Sequence, residues 1–154
     1  MYRKGVSALI INKKEEFLLV NLESFETKYF AIPGGGLEGE ETLEDAVYRE
    51  IQEELGIEKG LLTVIGKSDN PLRFRFKVIK LSRNGNEYEG SEKYFFGFKF
   101  TGVDDLIKLP KGEVRSYKWV SYSDLDKYLL FENQLKETSE KIVEVFSFIQ
   151  ESKF

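Results

Sequence analysis

Residues 42–57, TLEDAVYREIQEELGI, constrain this chain more than any other stretch. Thr42 followed by Asp45 is a capping-box start, and Gly56 is a helix stop, so the spacing predicts one helix over residues 42–55. At about 100° per residue, Val47, Ile51 and Leu55 form an apolar stripe that must face a core. Glu50, Glu53 and Glu54 fall within an arc of roughly 100° beside that stripe, and small Ala46 leaves room one turn earlier. The carboxylates therefore sit at the edge of a buried face. Their mutual repulsion costs about 0.2–0.5 kcal/mol per pair on an exposed helix, and more on burial. A hard divalent cation turns that repulsion into ligation, and Mg²⁺ favours a few carboxylates, several waters and phosphate oxygens. A Glu-Glu pair alone, in a chain with 27 acidic residues, would be no more than a solvated face. The spacing of the whole segment carries the information.

Around this helix the pattern alternates strands and turns. Residues 6–11 and 17–22 read as strands joined by a polar turn. Residues 29–32 read as a short strand stopped by Pro33, and Gly34, Gly35 and Gly36 as a loop. Strands are expected at 61–65, at 72–77, where Leu72, Phe74 and Phe76 alternate with Arg73, Arg75 and Lys77, at 94–101 and at 116–120. Residues 82–90 read as a polar loop. A short helix is expected over 121–130, opened by Ser121 or Ser123. Leu135, Ile142, Phe146 and Ile149 mark an amphipathic helix over 134–148. One domain over residues 1–154 is expected, α+β in class, as an α/β/α sandwich.

Composition removes whole classes of chemistry. The chain has no cysteine and no histidine. That excludes disulfides, thiolate nucleophiles, Ser-His-Asp triads and His-ligated zinc. Hydrolysis must rest on carboxylates, Lys, Tyr, Arg or a hard metal ion. A net charge of −4 argues against a general nucleic-acid coat, and no DNA binding is expected. No stretch approaches the ~20 apolar residues of a membrane helix, so no membrane partner is expected. A reducing, cytoplasmic setting is the expectation, with the protein a monomer or homodimer.

Residues 35–57 fit the pattern G-x5-E-x7-R-E-U-x-E-E-x-G-U, with U a bulky aliphatic residue. Gly35, Glu41, Arg49, Glu50, Ile51, Glu53, Glu54, Gly56 and Ile57 fill every defined position. A chance match to its seven fixed letters is rarer than roughly one in 10⁸ per start position. The segment resembles the box of the Nudix hydrolases. The resemblance implies a mixed sheet flanked by helices and Mg²⁺-dependent hydrolysis of a pyrophosphate bond, with Mn²⁺ a possible substitute. It implies that Glu50, Glu53 and Glu54 hold the metal, with Glu41 contributing, and that Arg49 orients a box carboxylate through a bidentate pair. Gly35 and Gly36 let the backbone approach metal or phosphate closely.

A thinner resemblance extends outside the box. Tyr2-Arg3-x-x-Val6, Tyr88-x-Gly90, the aromatic run at 94–96, and Glu113-x-x-x-Tyr117-x-Trp119-Val120-Ser121 are similar to the branch of dinucleoside polyphosphate hydrolases and RNA pyrophosphohydrolases. It implies that Glu113 binds metal or acts as general base; with no histidine present, a carboxylate base is also a chemical expectation. Arg3 and Lys93 become phosphate contacts, Tyr88 a base or phosphate contact, and Phe131 matches a Phe near the start of the last helix. Phe30-Ala31-Ile32-Pro33-Gly34-Gly35 and Glu132-Asn133 depart from that branch, and the lost positive charge favours small nucleotides over a long RNA. The expected substrate is a dinucleoside polyphosphate such as Ap4A. The alternatives are an RNA 5′ end, a (d)NTP or ADP-ribose, and, in another class, a catalytically silent nucleotide sensor.

Overall fold

The structure is a computed structural model that describes residues 1–81 and 85–146. Its strands are β1 (Tyr2–Ile11), β2 (Glu16–Leu22), β3 (Gly34–Gly36), β4 (Leu62–Lys67), β5 (Leu72–Leu81), β6 (Glu87–Phe100) and β7 (Val114–Ser121). Its α-helices are α1 (Leu43–Leu55) and α2 (Gln134–Val145). All seven strands join one mixed sheet with the main order β4-β6-β1-β2-β7; β3 pairs with β1, and β5 with β6. β1 and β6 run parallel over Tyr2↔Gly90 to Ile11↔Lys99, and every other pairing is antiparallel.

Alternation along the central strands sends side chains to two cores. Val6, Ala8, Ile10, Leu18, Val20, Phe96 and Phe98 face α1, meeting Ala46, Val47, Ile51 and Leu55. Leu9, Ile11, Phe17, Leu19 and Phe95 face the other way and meet Ile142 of α2, Phe146 just after it and Leu125 of a 3-10 turn. This is the expected α/β/α sandwich.

Helix α1 begins and ends where the sequence indicates. Thr42 Oγ1 accepts the Asp45 N–H at 3.1 Å, and Gly56 takes the left-handed conformation at φ 64° with its N–H bonded to the Gln52 carbonyl. The expected helix over 121–130 is a 3-10 segment at Tyr122–Lys127. α2 ends at Val145; residues 147–148 of the expected helix, and Ile149, lie outside the described residues.

Three further expectations are corrected. Residues 29–32 do not form a strand; they contribute one bridge, Val20↔Ala31. The Asn21 side-chain amide donates to the carbonyls of Glu26 and Tyr29 at 2.9 and 2.7 Å, which ties Tyr29 to the turn that precedes it. The three glycines, expected as a loop, form β3 against β1 in the register Gly5↔Gly36, Val6↔Gly35, Ser7↔Gly34. β1 and β2 register only at Ile11↔Phe17. Residues 31–36 fill the wedge where the two strands part, with Ala8 N–H donating to the Pro33 carbonyl at 2.8 Å. The polar loop expected at 82–90 also shortens: β6 already starts at Glu87, because pairing with β5 extends both strands beyond their apolar centres. Residues 82–84 lie outside the described residues.

Candidate active site

The glycine strand carries α1 into the site, and its lack of side chains is a packing requirement. None of its residues has positive φ. A Cβ on Gly34 would run into the Val6 carbonyl, one on Gly35 into the Glu50 carboxylate, and one on Gly36 into the Arg3 guanidinium. The glycines thus let Glu50 and Arg3 close on the backbone from two sides.

Arg49 is the hub of the carboxylates. Its Nε and Nη2 grip Glu41, with Nη2 to Oε1 at 2.6 Å. Nη1 reaches Glu50 at 2.9 Å and Glu53 at 3.2 Å, and Nη2 also donates to the Gly36 carbonyl at 2.9 Å. The expected bidentate pair is therefore with Glu41, whose Oε1 also accepts the Glu38 N–H. The Arg49 bonds hold the Glu41 carboxyl below the usual carboxylate range.

The remaining carboxylates differ in environment. Glu54 is 3% exposed and accepts the Gly34 N–H at 3.0 Å. Burial pushes its pKa up to about 8, with Glu50 and Glu113 raising it further and the Gly34 bond and Lys93 opposing. Burial raises Glu50 as well, against the pull of Arg49. Glu53 is half exposed. Glu113 stands exposed just before β7, near enough to Glu50 and Glu54 to raise both. Among the described residues no group of three carboxylates already converges as a cation cage. The donor set still suits a hard ion: all-oxygen, like-charged and partly desolvated, with the glycine cradle making room for the Glu50 carboxylate against the backbone.

Two concavities flank this ridge. The first is a cavity of about 530 Å³. Arg3, Lys4, Gly35, Gly36 and Lys93 form one end; Ile32, Leu72, Phe74, Phe76 and Phe95 form an apolar wall; and Glu132, Gln134, Glu137 and Thr138 close it from the α2 side. Lys93 opens to the cavity, yet the surrounding protein desolvates its ammonium and lowers its pKa, with Arg3 adding and Glu54 and Glu50 opposing. The second is a shallow basin lined by Arg49, Glu53, Lys108, Lys111 and Glu113.

The structure thus brings Arg3, Gly35, Gly36 and Lys93 together in one cavity beside Glu50 and Glu54. It does not bring Tyr88 or Phe131 into that lining. Tyr88 lies far up the β5–β6 hairpin, opposite Lys80. Phe131 packs on Phe25 and stacks on Tyr29 at 4.5 Å, just outside the cavity, and its N–H donates to Gln134. Lys4, Gln134 and Thr138 are cavity residues with no local signal in the sequence. The alternation at 72–77 marked a half-buried strand, and only the pairing with β6 shows what its apolar face lines.

This sheet, the glycine strand and the carboxylate helix define a Nudix domain: the chain matches the NUDIX domain over residues 1–144 and belongs to that family. It is a Nudix hydrolase acting on pyrophosphate bonds. It is 31% identical to an RNA pyrophosphohydrolase of Zymomonas mobilis over 150 residues, covering 95% of each chain. It is 33% identical to one from Orientia tsutsugamushi over 129 residues, 80% of this chain and 78% of that one. In fold it is similar to a C. elegans Ap4A hydrolase in a binary complex, at TM-score 0.68 and 22% identity, covering 96% and 98% of the two chains. It is also similar to a MutT protein from Methanosarcina mazei, at TM-score 0.67 and 23% identity, covering 99% and 96%. Among the described residues no helix is long and apolar enough to cross a membrane.

Proposed function

We propose that the chain hydrolyses the polyphosphate bridge of a dinucleoside polyphosphate such as Ap4A, using Mg²⁺. The observation that carries this reading is the cavity, polar and basic at Arg3, Lys4 and Lys93, apolar along Leu72, Phe74 and Phe76, and bounded by Gly35, which packs against the Glu50 carboxylate. Its volume suits one nucleoside with its first phosphates. The base lies along the apolar wall, and the phosphates lie between the cations and Gly35–Gly36. Glu50, Glu53 and Glu54 would hold Mg²⁺, or Mn²⁺ in its place, with Glu113 next to them. When bound, the ion supplies charge neutralisation and Lewis acidity at the diphosphate. Arg49 and Glu41 orient these carboxylates. Glu113, or a box glutamate, takes the proton of the attacking water.

A second substrate, the 5′ triphosphate end of an RNA, is favoured by the names of the relatives. Against it stand Glu132 and Glu137 in the cavity lining, whose negative charge opposes a polyanionic chain. Purified protein incubated with Mg²⁺ and Ap4A, triphosphorylated RNA, 8-oxo-dGTP, ADP-ribose and common NTPs separates these readings. ATP plus AMP as the dominant products supports the proposal. Faster release of pyrophosphate from the RNA replaces it with the second reading, and nucleotide binding without turnover of any substrate leaves a sensor.

A further inference from the structure

The carboxylate ridge stands between two concavities, and so far only one has a role. The second is a basin of about 760 Å³ whose cations, apart from Arg49, are Lys108 and Lys111. These two lysines sit on a braced segment. Ile107 is buried beneath it, and Lys108 N–H donates to the Leu55 carbonyl at the end of α1 at 2.8 Å. Gly56 leaves no space for a Cβ beside the Lys108 carbonyl. Pro110 restricts the chain, and Gly112, at φ 97°, turns it into Glu113 and β7. Neither ammonium forms an ion pair with a described residue.

We propose that Lys108 and Lys111 form the subsite for the phosphates on the far side of the scissile bond from the nucleotide cavity. This rests on the function proposed above. A polyphosphate cut at the ridge must extend to both sides of it. Arg3, Lys4 and Lys93 meet one half. Arg49 cannot meet the other, because its guanidinium is committed to Glu41, Glu50, Glu53 and the Gly36 carbonyl. The same side chain shows how close the two sites are, since it touches the cavity residue Gly36 while lining the basin. In the reaction the water oxygen bonds to one phosphorus, and the P–O bond to the bridging oxygen breaks. Its electron pair stays on the departing phosphate, and the water's proton passes to a carboxylate. New negative charge on the departing group then develops towards two ammoniums already in place.

The test is kcat and KM for Ap3A, Ap4A and Ap5A with Mg²⁺, in the wild type, in Lys108→Ala/Lys111→Ala and in Lys108→Arg/Lys111→Arg. Both side chains are exposed, and thermal unfolding checks that each variant is folded. At roughly tenfold per charged contact, the double alanine variant loses about a hundredfold in kcat/KM on Ap5A. It loses less on Ap3A, whose short bridge reaches less of the basin. Inhibition by the ATP product weakens, and the arginine variant recovers most of the loss. Wild-type kinetics in the alanine variant, or an equal loss on all three substrates without arginine rescue, overturns the subsite. A wild type that cuts none of the three overturns the proposed function itself, and the subsite with it.

Discussion

Helices α1 and α2 are nearly the same length, lie on opposite faces of one sheet and bury one stripe each, yet they are built for different ends. α2 buries Thr138 and Ile142 and is followed by buried Phe146, with no buried charge. α1 buries Val47, Ile51 and Leu55 and, beside them, the carboxylates of Glu50 and Glu54. A helix selected for stability alone would not desolvate two like charges. α1 is correspondingly better fastened. It has a side-chain N-cap, a left-handed glycine C-cap and Arg49 spanning four acceptor groups, whereas α2 starts from Asn133 at φ 64° with no side-chain cap. The strain of the functional helix is carried by its fastenings.

Breaking the fastening gives the largest effect. Arg49→Ala releases Glu41, Glu50 and Glu53 together. We expect a loss of about 3 kcal/mol in stability and about a hundredfold in kcat, read by urea unfolding and initial rates. Arg49→Lys should fail to restore kcat, because an ammonium cannot hold both Glu41 oxygens and the Gly36 carbonyl. On the other helix, Ile142→Ala should cost about 2–5 kcal/mol by leaving a cavity, with kcat of the folded fraction unchanged. If Ile142→Ala lowered kcat as Arg49→Ala does, the division of labour between the helices would be wrong.

Glu54 sharpens the comparison through pH. Its folded pKa, about 8, lies above that of an unfolded carboxylate, so the folded chain binds the extra proton in between. Metal-free protein should therefore lose stability as pH rises from the ordinary carboxylate range towards 8, by up to ~1.4 kcal/mol per pH unit. Thermal melts in EDTA should show this slope in the wild type, and Glu54→Gln should flatten it. A wild-type slope of the opposite sign would show that Glu54 is stabilised as the anion. The smallest effects lie at the caps. Thr42→Ala should cost about 1 kcal/mol, while Asn133→Gly should stabilise by about 0.5 kcal/mol by relieving positive φ.

The same contrast explains what could be read in advance. α1 was legible to within one residue because its information is local: Thr42 and Gly56 mark its ends, and the stripe beside Glu50, Glu53 and Glu54 marks its buried edge. β3 was not legible. Gly34, Gly35 and Gly36 look like loop residues, and the reason for three glycines lies in Val6, Glu50 and Arg3, which are distant in sequence. Residues 29–32 have strand composition, but Asn21 ties the Tyr29 carbonyl to the preceding turn, and only Ala31 pairs with β2. Arg3 and Lys93 emerged from a thin resemblance and do meet at one cavity. Phe74 and Phe76 were visible as an alternating strand, while their place in the cavity wall depends on how β5 pairs with β6. Phe131 sits beside the cavity in an aromatic cluster with Phe25 and Tyr29, an arrangement that no spacing in the sequence encodes.

The dependence of turnover on Mg²⁺ in the wild type and in Glu53→Gln tests the role of the carboxylate ridge most directly. Glu53 is half exposed, so the substitution leaves the fold intact. Wild-type turnover should saturate with Mg²⁺ and vanish in EDTA, and Glu53→Gln should turn over at least about a hundredfold more slowly at every Mg²⁺ concentration, with an unchanged melting temperature. A Glu53→Gln protein as fast as the wild type, or a wild type indifferent to EDTA, would show that the carboxylate ridge of α1 is not where the pyrophosphate bond is cut.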